Sequence, residues 1–208
     1  MRRWQALLRG YAAEHVFNPW AQSSADDVSA ANAAAARRRR LAAHLRVRAG
    51  YVLIGEASGY QGCRMSGIPF TSERLVIAGA IPRVNPGTQR LSTRSNPWSE
   101  PSATVVWSTL HELGIADRTV LWNAFPWHPY RPQQPLSNRT PTPAERALGL
   151  TVLEGLLAQF PDAQLFAVGR HAELSLREIG QRATALRHPS MGGASRFRQS
   201  LRAALLER

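Results

Sequence analysis

The chain has 208 residues, long enough for one sizeable core and too short for two full domains. Its 44% apolar content suits a globular protein, and no run approaches the roughly 18 apolar residues of a membrane helix, so no helical span is expected. Twenty-six basic against fourteen acidic residues give a net charge of +12, and the single cysteine, Cys63, excludes an internal disulfide or a zinc or iron–sulfur site built on cysteines.

The chain contains no lysine, so every basic residue in that count is arginine. Arginine keeps its charge and grips phosphate with a planar fork of donors. Compositional bias explains arginine over lysine but not the excess of cations over anions. A polyanionic partner, nucleic acid first, is therefore expected. The opening MRRWQALLRGYAAEH lacks the apolar core of a signal peptide, and a cytoplasmic location is expected.

In chain order, residues 1–24 read as a short helix followed by an aromatic and polar stretch that ends in Asn18-Pro19-Trp20 and packs across the domain. Asp26-Asp27 then open an Ala-, Leu- and Arg-rich helix to residue 48, where an acidic pair suits the helix start. Arg37-Arg38-Arg39-Arg40 spread around that helix, as a phosphate patch or as a solvated face. Tyr51-Val52-Leu53-Ile54 form a buried strand by β propensity. The apolar run stops at Gly55-Glu56-Ala57-Ser58-Gly59, and a second glycine-bearing loop ends in Gly67-Ile68-Pro69-Phe70. Residues 76–102 show no period and read as a long irregular connection.

A helix over 102–113 leads to a strand at 119–122 that delivers Asn123 to a loop carrying His128 and Tyr130. Thr142-Pro143-Ala144-Glu145 supplies a cap, a first-turn proline and a capping-box glutamate for a helix through 159. Strands at 164–168 and 183–187 flank a helix at 172–179, His188 opens the last loop, and a helix at 195–206 follows. Strands alternating with helices predict an α/β fold: a three-layer α/β/α sandwich around a four-stranded, mostly parallel sheet. Residues 1–208 are expected to form one domain, with 1–48 a helical extension packed on it.

In such a sheet the carboxyl ends of the strands share one edge, where ligands bind. Three of these ends carry Glu56, Asn123 and His188, a set suited to reading a polar heterocycle and to acid–base or electrostatic catalysis.

These residues resemble the uracil-DNA glycosylase superfamily, nearest the branch that bears an iron–sulfur cluster. Gly55-Glu56-Ala57-Ser58-Gly59 is similar to its first motif, with serine at 58 where proline is usual. Gly67-Ile68-Pro69-Phe70, Asn123, Asn138-Arg139-Thr140-Pro141 and His188-Pro189-Ser190, followed by Arg196-Phe197, match further motifs in the same order. The likeness runs from about 50 to 200. It departs at the cluster, which needs four cysteines where this chain has Cys63 alone, so no cofactor and no metal is expected. Ala57 stands where the best-known branch has a catalytic Asp, which leaves the water-activating group open.

The resemblance implies a DNA-repair glycosylase that flips uracil from DNA and releases free uracil, acting as a monomer and away from membranes. Glu56 and His188 would be catalytic, and Gly55, Ala57, Phe70 and Asn123 would hold the base. Ser58, Ser190, Met191, Gly192, Ser195, Arg196 and Arg198 would meet DNA, with Met191 as the wedge. The alternatives are the same fold acting on xanthine or hypoxanthine, or a weakly catalytic protein that binds uracil-containing or abasic DNA.

Overall fold

The computed structural model describes residues 3–85 and 90–206. Numbered in chain order, its elements are α1 Arg3–Gly10, β1 Val16–Phe17, α2 Ala30–His44, β2 Tyr51–Ala57, α3 Cys63–Ser66, α4 Glu73–Ile77 and α5 Pro101–Glu112. There follow β3 Thr119–Phe125, β4 His128–Pro129, α6 Pro143–Leu157, β5 Gln164–Val168, α7 Arg170–Glu178, β6 Thr184–Leu186 and α8 Ala194–Leu206. Strands β3-β2-β5-β6, in that order, form a wholly parallel sheet. Strands β1 and β4 pair apart from it, antiparallel.

Strand parity divides the core. Val52, Ile54, Val120, Trp122, Ala124 and Ala167 pack with Trp4 and Leu8 of α1, Leu153 and Leu156 of α6 and Leu176 of α7. Tyr51, Leu53, Leu121, Phe166 and Val168 pack with Val106 and Leu110 of α5 and Phe197 and Leu201 of α8. Both faces of β2, β3 and β5 are covered, which is why these strands read as continuous apolar runs, while Thr184 and Ala185 of the edge strand β6 stay exposed. Trp122 stacks on Trp20 at 6.1 Å and meets Trp4 edge-on at 6.3 Å. Each such pair contributes about 0.5–1.5 kcal/mol beyond burial.

Two strands run further than their apolar residues suggest. Gly55, Glu56 and Ala57 continue β2, and Gly55 pairs with Asn123 inside β3. Ladder hydrogen bonds carry the strand past the point where side chains cease to be apolar.

Helix α2 starts later and ends earlier than expected. Ser29 precedes it without a side-chain cap, and Asp27, in place of capping, pairs with the buried Arg37. The arginine run forms neither a phosphate patch nor a solvated face along its inner side. Arg37 Nε donates to the Met65 carbonyl at 3.2 Å, Arg38 to Trp20 at 2.6 Å and Arg40 Nε to Ser66 at 2.6 Å. Buried Arg37 tolerates its depth because each of its three nitrogens finds an acceptor, at Met65, Gln22 and Asp27. Arg37 and Arg40 clamp the segment that leads to Phe70.

The irregular stretch after α4 is anchored by one wholly buried carboxylate. Glu73 accepts from Arg90 Nε at 2.9 Å, Leu91 N at 2.9 Å, Ser92 Oγ at 2.6 Å and Trp98 N at 2.9 Å. Burial pushes its pKa up, but the Ser92 and Arg90 hydrogen bonds outweigh this and hold it below the usual range. That anchor delivers Glu100 to the start of α5. On the outer edge of β3, buried His44 accepts the free N–H of Leu121 at 2.9 Å, closing the sheet edge.

Candidate active site

A cleft of about 1220 Å³ opens along the carboxyl edge of the sheet. The chain passes from β2 to β3 on one side and returns to β5 on the other, so the cleft lies at the switch of strand order where α/β sheets bind ligands. Glu56, Ala57, Ser58, Phe70, Asn123, His188, Ser190, Met191 and Gly192 all line it. Gly55 sits beneath this lining. Ser195, Arg196 and Arg198 lie outside it, on the first two turns of α8.

Asn123 is buried, and the strand holds its amide still. In the orientation that pairs both ends, Nδ2 donates to the Trp122 carbonyl at 3.2 Å and Oδ1 accepts from Ser58 N–H at 3.3 Å. One N–H and one lone pair remain. Ser58 is fixed in turn by its hydroxyl, which donates to the Pro126 carbonyl. Phe70 adopts φ 50, a conformation that bulky residues avoid, and its ring lies 6.2 Å from the His188 imidazole at 38°. A Cβ at position 55 would fall 2.5 Å from Phe70 Cζ and 2.6 Å from the Asn123 amide, so only glycine lets the two side chains meet over the strand.

His188 follows β6 and closes the cleft from the far side of the sheet. The Ser190 backbone N–H donates to its Nδ1 at 3.1 Å, and Ser190 Oγ lies 2.7 Å from the same atom. A backbone N–H only donates, so Nδ1 accepts and the neutral ring carries its proton on Nε2. Burial, and then the neighbouring Arg187 charge, holds the His188 pKa below the ordinary value.

Glu56 is placed differently from Asn123. It shares parity with Ile54, so its side chain turns toward α6 and α7, while Asn123 and Phe70 lie over the other face. It reaches the cleft from below the sheet edge, and its Oε1 is closed off from solvent.

The sequence reading missed several residues of the lining. Arg131, Arg170 and Arg187 set positive charge around the cleft, which Arg139 also lines with its charge paired to Glu145. Glu100 carries a second carboxyl into it. Its Oε2 is shut off from solvent without a hydrogen-bond partner, in the hollow that a Cβ on Gly62 would fill. Burial raises its pKa to about 7. Arg187 was legible beside His188; Glu100 sat in a stretch without period. His128 is buried, with Nε2 against the Ser137 carbonyl at 2.8 Å, and is structural. Asn138 accepts from Tyr60 N–H at 3.1 Å and Arg139 grips both Glu145 oxygens at 2.6 and 2.7 Å, so that motif orders a loop beside the cleft.

Four convergent cysteines are needed for an iron–sulfur cluster, and this chain offers only Cys63, buried, its thiol pushed up to about 12 by burial. The residues do not fit such a group. Among the described residues no cluster of His, Cys, Asp and Glu is arranged to hold a metal ion, and no helix is long and apolar enough to cross a membrane.

A parallel sheet with a cleft at its carboxyl edge, lined by an amide, an imidazole, carboxyls and arginines, has the layout in which α/β proteins bind polar ligands. The chain belongs to the uracil DNA glycosylase superfamily, whose family model matches residues 42–207. It is a DNA glycosylase, a hydrolase of DNA repair, and DNA is its partner. Wild-type SMUG2 of Pedobacter heparinus has a similar crystal structure, at a TM-score of 0.65 and 15% identity, covering 98% of this chain and 95% of that one. No curated protein matches the chain in sequence.

Proposed function

We propose that the chain is a monofunctional uracil-DNA glycosylase that flips uracil out of DNA, hydrolyses its N-glycosidic bond and leaves an abasic site. It acts as a monomer and as one domain, with residues 1–48 packed on the remainder. The observation that carries this reading is the Asn123 amide, fixed by Trp122 and Ser58 with one donor and one acceptor to spare. Uracil offers O4 to that N–H and its N3–H to that lone pair. Cytosine presents the reverse pattern, so the same amide meets donor with donor and leaves buried groups unpaired, a mismatch that discriminates by orders of magnitude.

Flipping costs a few kcal/mol, and less at a mismatch. Met191, 94% exposed at a loop tip with φ 50, takes the place of the extruded base as a wedge. Phe70 stacks on the base, worth about 1–3 kcal/mol. Ser190, Gly192, Ser195, Arg196 and Arg198 meet the DNA backbone with the rim arginines, holding register without reading sequence. Ser58, expected to join them, is instead buried with its hydroxyl on the Pro126 carbonyl and serves to fix Asn123.

As the bond from C1′ breaks, its electron pair passes to uracil N1 and spreads onto O2 and O4. His188 Nε2–H donates to O2, a bond that strengthens as the anion forms. Glu56 stabilises the cationic sugar and orients water toward C1′. The water oxygen bonds to C1′, one proton goes to the carboxylate, and solvent returns it to the departed base.

The test is incubation of purified protein, with chelator, on single- and double-stranded oligonucleotides containing uracil, xanthine or hypoxanthine. Alkali-labile sites at uracil support the reading. Cleavage only at the purines moves the substrate, and gel-shift retention without base release makes the chain a binding protein.

A further inference from the structure

Behind Glu56, on the side away from the base, lies a second and much smaller cavity of about 10 Å³. It is walled by Glu56, Thr140, Arg146, His171 and Ser175, with Ala124, Phe125 and Pro141 completing it. Two of its polar atoms, Glu56 Oε1 and Arg146 Nε, are closed off from solvent and have no hydrogen-bond partner in the protein. A closed-off carboxylate oxygen and guanidinium N–H that both lack a hydrogen bond are costly, and such groups are usually satisfied by a bridging water. The space is that of a single water, and a polar pocket with two to four partners is the kind that holds one.

We propose that this cavity is a built water site and that Arg146 is a positioning residue for Glu56. The bound water accepts from Arg146 Nε and donates to Glu56 Oε1. The other carboxylate oxygen is left to the cleft. One oxygen anchored from behind restricts the rotation of the carboxylate, and the second oxygen is thereby aimed at the water that attacks C1′. Glu178 of α7 lies 3.6 Å from the same Nε in a half-exposed ion pair, too far to accept its hydrogen bond, so that N–H is left to the cavity. The inference rests on the reading of Glu56 as the group that orients the attacking water.

Single-turnover base release and DNA affinity are measured for Arg146→Met, Arg146→Lys, Glu178→Gln, Glu56→Gln and the Glu56→Gln/Arg146→Met pair. Loss of positioning predicts that Arg146→Met slows release about 10-fold or more while DNA affinity stays within about 2-fold, the pattern of an interaction spent on the reacting state. Arg146→Lys, which keeps a donor at that depth, recovers most of the rate. Glu178→Gln stays near wild type, which separates the effect from the ion pair between α6 and α7. The pair is no slower than Glu56→Gln alone, because both changes remove one device. Wild-type release by Arg146→Met, beside a crippled Glu56→Gln, overturns the water site and leaves the reading of Glu56 standing. Full activity of Glu56→Gln overturns that reading itself. Equal loss in Glu178→Gln and Arg146→Met makes Arg146 structural and overturns the proposal as well.

Discussion

Ser190 addresses the same nitrogen of His188 twice: its backbone N–H reaches Nδ1 at 3.1 Å and its hydroxyl lies at 2.7 Å. The backbone contact alone sets the tautomer, so Ser190→Ala keeps the proton on Nε2 and removes only the second contact. A loss of about 10-fold or less in single-turnover release is expected, whereas His188→Ala removes the donor to O2 and costs about 100-fold or more, as deletion of a single oxyanion donor does. DNA affinity stays close to wild type in His188→Ala, while Ser190→Ala, which also takes a contact from the DNA backbone, weakens binding modestly. Equal losses of rate and affinity in His188→Ala make the residue structural.

The imidazole titration of His188 is readable by NMR. Burial is the larger cause of its lowered pKa and the Arg187 charge the smaller. Arg187→Gln therefore raises the His188 pKa only part of the way to the ordinary value, and the ring stays neutral at neutral pH in both proteins. A pKa unmoved by Arg187→Gln excludes the charge contribution.

At Gly55 the close approach of Phe70 and the Asn123 amide leaves no room for a methyl group. Gly55→Ala is expected to destabilise by about 1–3 kcal/mol, the usual range for overpacking. Excision falls further than stability predicts, since the residue displaces the two groups that hold the base. Thermal unfolding and single-turnover release, measured together, check this.

Glu100 gives a pH signature. Its folded pKa of about 7 stands above the ordinary 4.5, so between these values the unfolded chain loses a proton that the folded chain keeps. Stability contributed by the neutral carboxyl is present below about pH 4.5 and is lost as pH rises through about 7. Glu100→Gln removes that slope, so its Tm advantage over wild type grows between about pH 5 and about pH 8. A constant difference across that range contradicts the burial of an ionisable carboxyl.

Much of this was legible in the chain. The bounds of β5, Gln164–Val168, follow directly from its apolar run, and Thr142 with Glu145 marks the start of α6 through a capping box that the structure contains. Glu56, Asn123 and His188 were placed at strand ends, and they line one cleft. Strand parity also carried an unused signal: Glu56 sits two residues after Ile54 and so leaves the sheet on the opposite face from Asn123. Other features were not legible because they are tertiary. Arg37 is buried by acceptors at residues 22, 27 and 65, and no period in its own helix announces them. Glu100 enters the cleft only because Glu73 gathers the backbone of residues 91, 92 and 98 ahead of it.

The most direct measurement is base release from oligonucleotides carrying uracil or cytosine at one position, by the wild type and by Asn123→Asp. A carboxyl at 123 accepts from the cytosine amino group and, when protonated, donates to N3, so the variant is expected to release cytosine while the wild type releases uracil alone. Asn123→Asp that rejects cytosine and keeps full uracil activity would remove Asn123 as the reader of the base, and with it the pocket as the site of recognition.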